Sequence, residues 1–530
     1  MALLSVNLRD GIILTAVITI LLYVWEKNTA KITRNGEPLR FVTPHRAYPT
    51  LTLSTIISIN VVNHPNRKPP NTLPLVGNGI IFLQPRQKLF SWFHRCERLY
   101  GYETLHITVP SLPPGVIVND PQNLDFIFRN EGVFEKGEFF KQRSWDLFGH
   151  GIINVDGEFW RLQRKAGLRF LSAAALKTLT NEKLPKYLDQ AISVLEEKTG
   201  TKEVVDLQAV VHEVTTQLMG RMAYNMEMHA DDDFTVAFEH ASGGTAERFQ
   251  NPLWFVTEMF AGARMRRSIT TVKTYGKRIV TSAVADRKEA EGKTHSDAPG
   301  SLIQSLLDSI GDETLVADAA LNYLSAGRDT VAQALTWTLY LLMKNPHVAT
   351  KLRQSVESLR DEDTSTRDDP ELLTPVRLPY VLAVFYESLR LRPPIPFEIK
   401  QAQQATTLPD GTFLPAGAIV VWCAWAMGRS HTTWGPDADD FRPERWLTTS
   451  LAGDVTVAQR PAAEFPVFNG GPRVCLGKKM AELVAVQTLA RLVPLFKFEP
   501  AFEGERVSKS SLTLPMEGGL PVYVQHKTPS

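Results

Sequence analysis

The pattern of apolar and polar positions along the chain predicts a mostly helical protein with a minority of strands. The longest predicted helix runs from about Thr314 to Lys344, and Asn345-Pro346 ends it. Much of its surface is apolar, so we expect this helix to be buried. Two further helices that bear on the chemistry are predicted at residues 379–392 and 476–493.

Short runs of alternating or β-branched residues predict a minor β region. Strands are expected within residues 103–110 and 114–120, where turn residues flank them. Residues 410–425 are predicted to form a hairpin-like β segment. The expected fold class is therefore mainly α with a minor β region.

The N-terminal part of the chain has a different pattern. Gly11–Trp25 is a run of 15 residues without charge, and a membrane-spanning helix needs about 20 apolar residues. With its flanks, this run predicts an N-terminal membrane helix. The alternative, a cleaved signal peptide, lacks a basic n-region and a cleavage site. A second apolar patch at 51–62 is too short to span and is expected to lie in the interface or pack on the body.

Charge and proline content divide the chain into two parts. Lysines and arginines follow the apolar run, which places the downstream residues in the cytosol. A proline-rich hinge at 64–78 then precedes the globular body. We therefore assign 1–63 to a membrane anchor with a juxtamembrane segment, and 64–530 to a catalytic domain.

Overall composition is that of an ordinary globular protein, 43% hydrophobic and 22% charged, with a formal net charge of +1. This charge gives no reason to expect a nucleic-acid partner. The three cysteines, Cys96, Cys423 and Cys475, are far apart, so neither a zinc-site spacing nor a disulfide framework is visible. A reducing compartment is therefore expected.

The stretch FPVFNGGPRVCLGKKM places Cys475 on a glycine- and proline-rich loop just before a helix. Backbone N–H groups and the helix dipole at such a place favour the thiolate. Gly477 has no side chain, which leaves room for a flat ligand. A lone thiolate on such a loop suits the fifth ligand of a haem iron. The alternative is a buried free cysteine at a helix start.

The long helix contains a polar sequence, SAGRDTVA, that requires an explanation. Gly327 costs about 1 kcal/mol relative to alanine in a helix interior. Thr330 is expected to hydrogen-bond to a carbonyl one turn earlier and to bend the helix. A capping Asp-Thr pair at a helix break is the alternative.

These motifs together resemble the cytochrome P450 family of haem-thiolate monooxygenases, and the resemblance covers residues 65–525. The family's ligand loop, Phe-x-x-Gly-x-Arg-x-Cys-x-Gly, is complete as Phe468, Gly471, Arg473, Cys475 and Gly477. The resemblance implies the cytochrome P450 fold and bound haem b (iron protoporphyrin IX). It makes Cys475 the axial metal ligand, with Phe468 beside it and Arg473 paired with a haem propionate.

The same resemblance implies roles for further residues. A groove for dioxygen is expected at Ala326 and Gly327, and proton relay through Asp329 and Thr330. Propionate contacts are implied for Trp160, Arg164 and Lys400, although most members have arginine where this chain has Lys400. A structural cluster that supports the haem-binding core is implied for Glu387, Arg390 and Arg445.

The resemblance also implies the activity and the partners. We expect a monooxygenase that uses dioxygen, with electrons from an external NADPH-dependent reductase that docks on Arg161, Lys165, Lys478 and Lys479. We expect a single-pass protein of the endoplasmic reticulum membrane with a cytosolic catalytic domain.

The expected substrate is a lipophilic small molecule. AGRDT, LPDGTFLPAG and AMGR resemble the fatty-acid and alkane hydroxylase branch of fungi and plants, which favours a long-chain aliphatic. A secondary metabolite is about equally supported. Two other functions stay open: an isomerase or dehydratase of oxidised lipids, and a non-catalytic membrane haem protein.

Overall fold

The computed structural model describes most of the globular body and a small part of the N-terminal segment. The described residues are 31–34, 37–38, 69–73, 77–109, 112–290, 301–362, 369–451 and 453–527. The predicted membrane helix at Gly11–Trp25 and the apolar patch at 51–62 lie outside them. Among the residues described, no helix combines the length and the apolar character needed to cross a bilayer.

The body is mainly helical, with 58% of it in helices, which confirms the predicted fold class. In chain order the helices are α1 (Gly79–Phe82), α2 (Arg86–Tyr100), α3 (Pro121–Arg129), α4 (Gly137–Phe148), α5 (Gly157–Phe170), α6 (Ala173–Thr178), α7 (Leu184–Lys198), α8 (Leu207–Tyr224), α9 (Asp233–Gln250), α10 (Trp254–Ala261), α11 (Ala263–Ala290), α12 (Leu302–Ile310), α13 (Glu313–Lys344), α14 (Pro346–Glu362), α15 (Pro379–Leu391), α16 (Ala424–Met427), α17 (His431–Trp434) and α18 (Lys478–Leu495).

The strands are short and form small sheets. They are β1 (Thr33–Arg34), β2 (Glu37–Pro38), β3 (Leu105–Ile107), β4 (Gly115–Ile117), β5 (Phe134–Glu135), β6 (Val205–Asp206), β7 (Phe397–Ala402), β8 (Thr406–Thr407), β9 (Thr412–Leu414), β10 (Ile419–Cys423), β11 (Leu447–Thr449), β12 (Val455–Val457), β13 (Phe496–Pro500) and β14 (Pro521–His526). The largest described sheet has the order β3-β4-β10-β7-β5.

The long helix α13 forms where the sequence predicts it. Its first turn is capped by Asp312, whose Oδ1 accepts from the N–H groups of Thr314 at 2.8 Å and Leu315 at 3.0 Å. With 32 residues, at about 1.5 Å per residue, it is about 48 Å long. It packs against α8, α11, α12 and α15, and its side chains belong to the main hydrophobic core. This helix therefore runs through the centre of the body, as expected.

The predicted hairpin at 410–425 is wrong in its pairing. Both segments are strands, but β9 pairs with β1 and β8, whereas β10 pairs with β4 and β7. All five residues of β10 are buried, and such a strand is stabilised by neighbours on both sides. The chain therefore leaves one sheet after β9 and enters another.

The segment assigned to the juxtamembrane region contributes strands to a sheet of the body. β1 pairs with β2 and with β9. The side chain of Arg34 donates to Thr412 Oγ1 at 3.1 Å and to Glu103 at 2.9 Å, and it also contacts Asp410. Residues 33–34 are therefore anchored to the body although they precede the proline-rich hinge.

Candidate active site

The loop before α18 is shaped by backbone contacts that depend on glycine. The Cys475 N–H donates to the Phe468 carbonyl at 2.7 Å, which closes the loop. Gly471 has a φ of 59°, a value that side chains disfavour. A Cβ at Gly471 would also overlap the backbone oxygen of Phe128. Glycine is therefore required at this position both by conformation and by space.

Cys475 is a free thiol. Its side chain is exposed to solvent, yet the surrounding protein desolvates it enough to raise the pKa of the thiol. The Gly477 N–H and the Arg164 charge lower this pKa only in part. For the thiol without a bound metal, desolvation therefore outweighs the lowering effect of the helix start that the sequence predicts. A bound metal ion deprotonates such a thiol outright.

The arginines near Cys475 are organised around the buried ring of Trp160. The Cζ of Arg473 lies 4.1 Å from the ring centre and the Cζ of Arg164 lies 5.4 Å from it. Arg164 Nη1 donates to the Val474 carbonyl at 2.9 Å. The predicted pair Trp160–Arg164 is thus brought against the loop that carries Cys475.

Arg473 already has two carboxylate partners. Its Nε donates to Glu131 and its Nη2 to Asp156, each at 2.8 Å, and Nη1 donates to the Val155 carbonyl at 3.0 Å. The sequence reasoning missed both acids, because they lie more than 300 positions away along the chain. A propionate at Arg473 would therefore share the guanidinium with these two carboxylates.

Lys400 is a buried cation on β7. Its side chain is 3% exposed, and Nζ donates to the Phe134 carbonyl at 3.1 Å. Burial, with the charges of Lys136 and Arg473 added, lowers the pKa of Lys400 to about 8. Within the described part of the chain, no carboxylate forms an ion pair with it. An anionic group such as a propionate fits this position electrostatically.

One face of α13 is accessible although the helix is otherwise buried. Ala326 is exposed and Thr330 is half-buried, whereas residues 319–325 and 331–342 are buried. The Thr330 hydroxyl donates to the Ala326 carbonyl at 2.6 Å, as the sequence predicts. The helix is continuous across this hydrogen bond. Ala326 and Thr330 therefore line a space inside the body.

Gly327 faces a neighbouring helix. A Cβ at this position would lie 2.6 Å from the sulfur of Met219 on α8. Close helix packing thus explains this glycine, in addition to the implied dioxygen groove. Asp329 is less accessible than Ala326 and Thr330: its Oδ1 accepts from Arg328 Nε at 2.7 Å, and its side chain is 8% exposed.

The three residues of the predicted structural cluster meet in the core. Glu387 accepts from Arg390 at 2.7 and 2.8 Å and from Arg445 at 3.0 Å. Trp446 Nε1 at 2.9 Å and the Arg442 N–H at 2.9 Å complete the set of donors. Trp446 was missed by the sequence reasoning, although it directly follows Arg445. The cluster joins α15 to the segment before β11.

The residues present fit a haem. Helix α5 links the Cys475 loop to the helix α13 that carries the accessible face, because Tyr323 on α13 donates to the Gln163 carbonyl at 2.8 Å and Arg164 donates to the Val474 carbonyl at 2.9 Å. Arg164 supplies a cation beside the loop that carries Cys475, and Lys400 supplies a second buried cation on β7. A mainly helical body with a solitary cysteine on a glycine loop defines a protein of the haem-thiolate class.

Comparison with known proteins places the chain within that class. The cytochrome P450 family model matches residues 67–519, and the chain belongs to this family. It is 28% identical to cytochrome P450 94A1 of Vicia sativa over 86% of this chain and 90% of the relative. It is 30% identical to the cytochrome P450 monooxygenase cyp1 of Mycosarcoma maydis over 83% and 71%, and 31% identical to cytochrome P450 86B1 of Arabidopsis thaliana over 78% of each chain.

Family membership settles the cofactor and the class of reaction. The protein is a monooxygenase, an oxidoreductase, and it binds haem b through a cysteine thiolate. The expectations of a haem cofactor and an enzyme are confirmed, and the non-catalytic alternative has no support.

Proposed function

We propose that the protein hydroxylates a lipophilic substrate, with a long-chain aliphatic compound as the first candidate. The accessible face at Ala326 and Thr330 in an otherwise buried helix carries this proposal. Haem bound to Cys475 supplies the reductive activation of dioxygen. The motifs AGRDT, LPDGTFLPAG and AMGR support the aliphatic candidate through their resemblance to fatty-acid and alkane hydroxylases. A terpenoid or polyketide remains the second candidate.

The side chains that we propose as walls of the substrate pocket are apolar. On α4, Phe139 and Phe140 are buried and lie against Phe249, with ring centres 6.3 and 5.1 Å away. Ile395 is 37% exposed between two buried prolines, so it presents an apolar surface. Leu514 and Met516 are also apolar and are buried in the main core. Apolar walls favour a lipophilic substrate.

The polar residues of α13 are suited to handling protons. The Thr330 hydroxyl is held by its bond to the Ala326 carbonyl, so its oxygen stays available to accept from water. Asp329 keeps one carboxylate oxygen, Oδ2, without a hydrogen bond to the described residues. We propose that Thr330 and Asp329 deliver protons during dioxygen activation, and that Cys475 would hold the haem.

The test is co-expression with an NADPH-dependent reductase under isotopically labelled dioxygen, with mass spectrometry of fatty acids, alkanes and terpenoids. A monooxygenase product carries one labelled oxygen atom. Products that form without label and without NADPH consumption would favour the isomerase or dehydratase instead.

We propose that the reductase docks on the basic surface formed by Arg161, Lys165, Lys478 and Lys479. Arg161, Lys165 and Lys479 are exposed. The surface lies beside Cys475, because Arg164 on the same helix as Arg161 and Lys165 contacts the adjacent Val474. Opposite charges speed association.

The double variant Lys165→Glu with Lys479→Glu should slow haem reduction by the reductase and weaken the salt dependence of this rate. Lys277→Glu on α11, away from this surface, should change neither. Equal reduction rates in the unmodified chain, the double variant and Lys277→Glu would contradict docking at this surface.

We propose that the body also contacts the membrane of the endoplasmic reticulum, through α10. None of the residues in this helix is buried, and Phe255, Met259 and Phe260 are 59%, 67% and 80% exposed. The exposed Arg264, Arg266 and Arg267 follow this helix, and basic residues favour anionic lipid.

Brominated lipid should quench the fluorescence of Trp254 in the full chain. If the fraction of fluorescence quenched were the same in Trp254→Phe, this contact would be contradicted.

We propose that Lys400 binds a haem propionate, and its buried charge gives a pH-dependent prediction. Because the pKa of Lys400 falls from 10.5 to about 8 on folding, the unfolded chain binds more protons between these values. The stability of the haem-free chain should therefore rise with pH across this window. Lys400→Met should remove that rise, add up to about 3 kcal/mol to the free energy of unfolding at pH 7, and speed haem loss.

Urea unfolding of the haem-free chain from pH 7 to 10.5, and transfer of haem to an acceptor protein, measure these two effects. Lys497→Met is the control, because Lys497 is exposed and pairs with Glu499 at 2.7 Å. A stability difference between Lys400→Met and the unmodified chain that is constant over this pH range would contradict the burial argument.

A further inference from the structure

Arg328 and Asp329 form an ion pair between adjacent residues of α13. Arg328 Nε donates to Asp329 Oδ1 at 2.7 Å, and the two side chains are 1% and 8% exposed. Adjacent residues on a helix point about 100° apart, and side chains at i and i+1 do not normally face each other. The contact therefore draws the Asp329 carboxylate around the helix toward Arg328.

Arg328 is itself fixed from the α9 side. Its Nη1 donates to Thr235 Oγ1 at 2.9 Å, and its Cζ lies 5.2 and 5.8 Å from the ring centres of Phe234 and Phe238. Nη2 is buried and has no hydrogen-bond partner in the described part of the chain. This guanidinium is therefore held by another helix.

The neighbours of Arg328 offer no second negative charge at ion-pair distance. Burial, with the Arg328 charge added, lowers the pKa of His212 on α8 to about 4, so this imidazole is neutral. Burial raises the pKa of Tyr275 on α11, so its phenol is neutral too. Among the described residues, Asp329 is the only carboxylate paired with Arg328. The arginine and the acid thus neutralise each other.

We infer that Arg328 is a positioning residue that holds Asp329 for proton delivery at the face lined by Ala326 and Thr330. Oδ1 is bound to Arg328, which leaves Oδ2 without a hydrogen bond to the described residues and available to water. Thr235 and the two phenylalanines set the direction of the guanidinium. The proposal rests on the proposed function, because it assigns a proton-delivery role to Asp329.

Arg328→Gln tests this role, with Arg328→Lys as the conservative variant. The glutamine variant is expected to lower the product formed per NADPH consumed by about tenfold, with a matching rise in peroxide and a larger solvent isotope effect on NADPH oxidation. Lysine keeps the positive charge but lacks the planar guanidinium that also donates to Thr235. Arg328→Lys should therefore restore part of the product formed per NADPH consumed. The ferrous–CO spectrum should show the haem-thiolate band in both variants.

A double-variant cycle separates positioning from a merely structural role. If Arg328 acts through Asp329, then the double variant Arg328→Gln with Asp329→Asn should form as much product per NADPH consumed as Asp329→Asn alone. If the double variant lost product per NADPH by the product of the two single-variant factors, the inference would be overturned. Infrared spectroscopy of the resting protein gives a readout without turnover: the carboxylate band of Asp329, identified by its loss in Asp329→Asn, should shift in Arg328→Gln, and an unshifted band would also count against the inference.

The two proposals fail in different ways. If the unmodified chain hydroxylates no lipid in the panel, the proposed substrate class is wrong, and the infrared band and the isotope effect still test Arg328. If the unmodified chain forms labelled product and Arg328→Gln couples equally well, only the role of Arg328 is wrong.

Discussion

Replacing Cys475 by alanine is expected to abolish the haem-thiolate absorption band of the ferrous–CO complex and all monooxygenase activity. The side chain of Cys475 is the accessible thiol of the described chain, at the end of a loop closed by its own N–H bond to Phe468. Alanine keeps this backbone bond and removes the sulfur, so the loop should persist without a ligand for the iron.

The other two cysteines provide matched controls. Cys96 and Cys423 are buried, and burial raises the pKa of Cys423 to about 12, which keeps it a neutral thiol. Cys423→Ala should retain the thiolate band and differ only by the cost of a small cavity. A chain with Cys475→Ala that keeps the band, or a chain with Cys423→Ala that loses it, would refute the assignment of the iron ligand.

Local signals in the sequence were sufficient to place the elements that carry the site. The start of α13 is specified by Asp312 and its end by Pro346, both of which act within one turn of the helix. The bond from Thr330 to Ala326 is equally local. Such features depend on neighbours within four residues, which a single sequence shows directly.

Features that depend on distant partners were not predictable in this way. The two strands at 410–425 were placed correctly, but their partners are up to about 380 positions away, as with Thr412 and Arg34. The carboxylates on Arg473 are 342 and 317 positions away in the chain, and the threonine on Arg328 is 93 positions away. Side-chain direction was also hidden: the same motif contains Thr330, which faces the interior space, and Asp329, which is drawn toward Arg328.

The cluster around Glu387 shows why a buried charge belongs in the haem-binding core. Arg390 also donates to the carbonyls of Ala438 at 2.5 Å and Asp440 at 2.9 Å, and Arg445 donates to that of Asp437 at 2.9 Å. The two arginines therefore tie an irregular segment, which has few backbone partners of its own, to α15. The Glu387 carboxylate is shared by both cations, and Asp437 at 3.3 Å supplies a second negative charge to Arg445, so the position of Arg390 depends most on Glu387.

Glu387→Gln is therefore expected to destabilise the protein by about 3–5 kcal/mol, the usual cost of breaking a buried ion pair from one side. Glutamine has nearly the same volume, but it leaves the buried Arg390 without a counter-charge, leaves Arg445 with Asp437 alone at 3.3 Å, and turns an N–H group toward other donors. A loss of this size is a large part of the total stability of a typical domain, so little haem-bound protein should accumulate. Urea unfolding and the yield of the haem-thiolate band measure both effects.

Glu158→Gln is the matched control, because Glu158 also pairs with an arginine three positions away, Arg161, but both side chains are exposed by more than half. An exposed pair of this kind contributes about 0.2–1 kcal/mol, so this variant should bind haem normally. If Glu387→Gln unfolded at the same urea concentration as Glu158→Gln, the buried carboxylate would not organise the core, and the segment around Arg445 would need another source of stability.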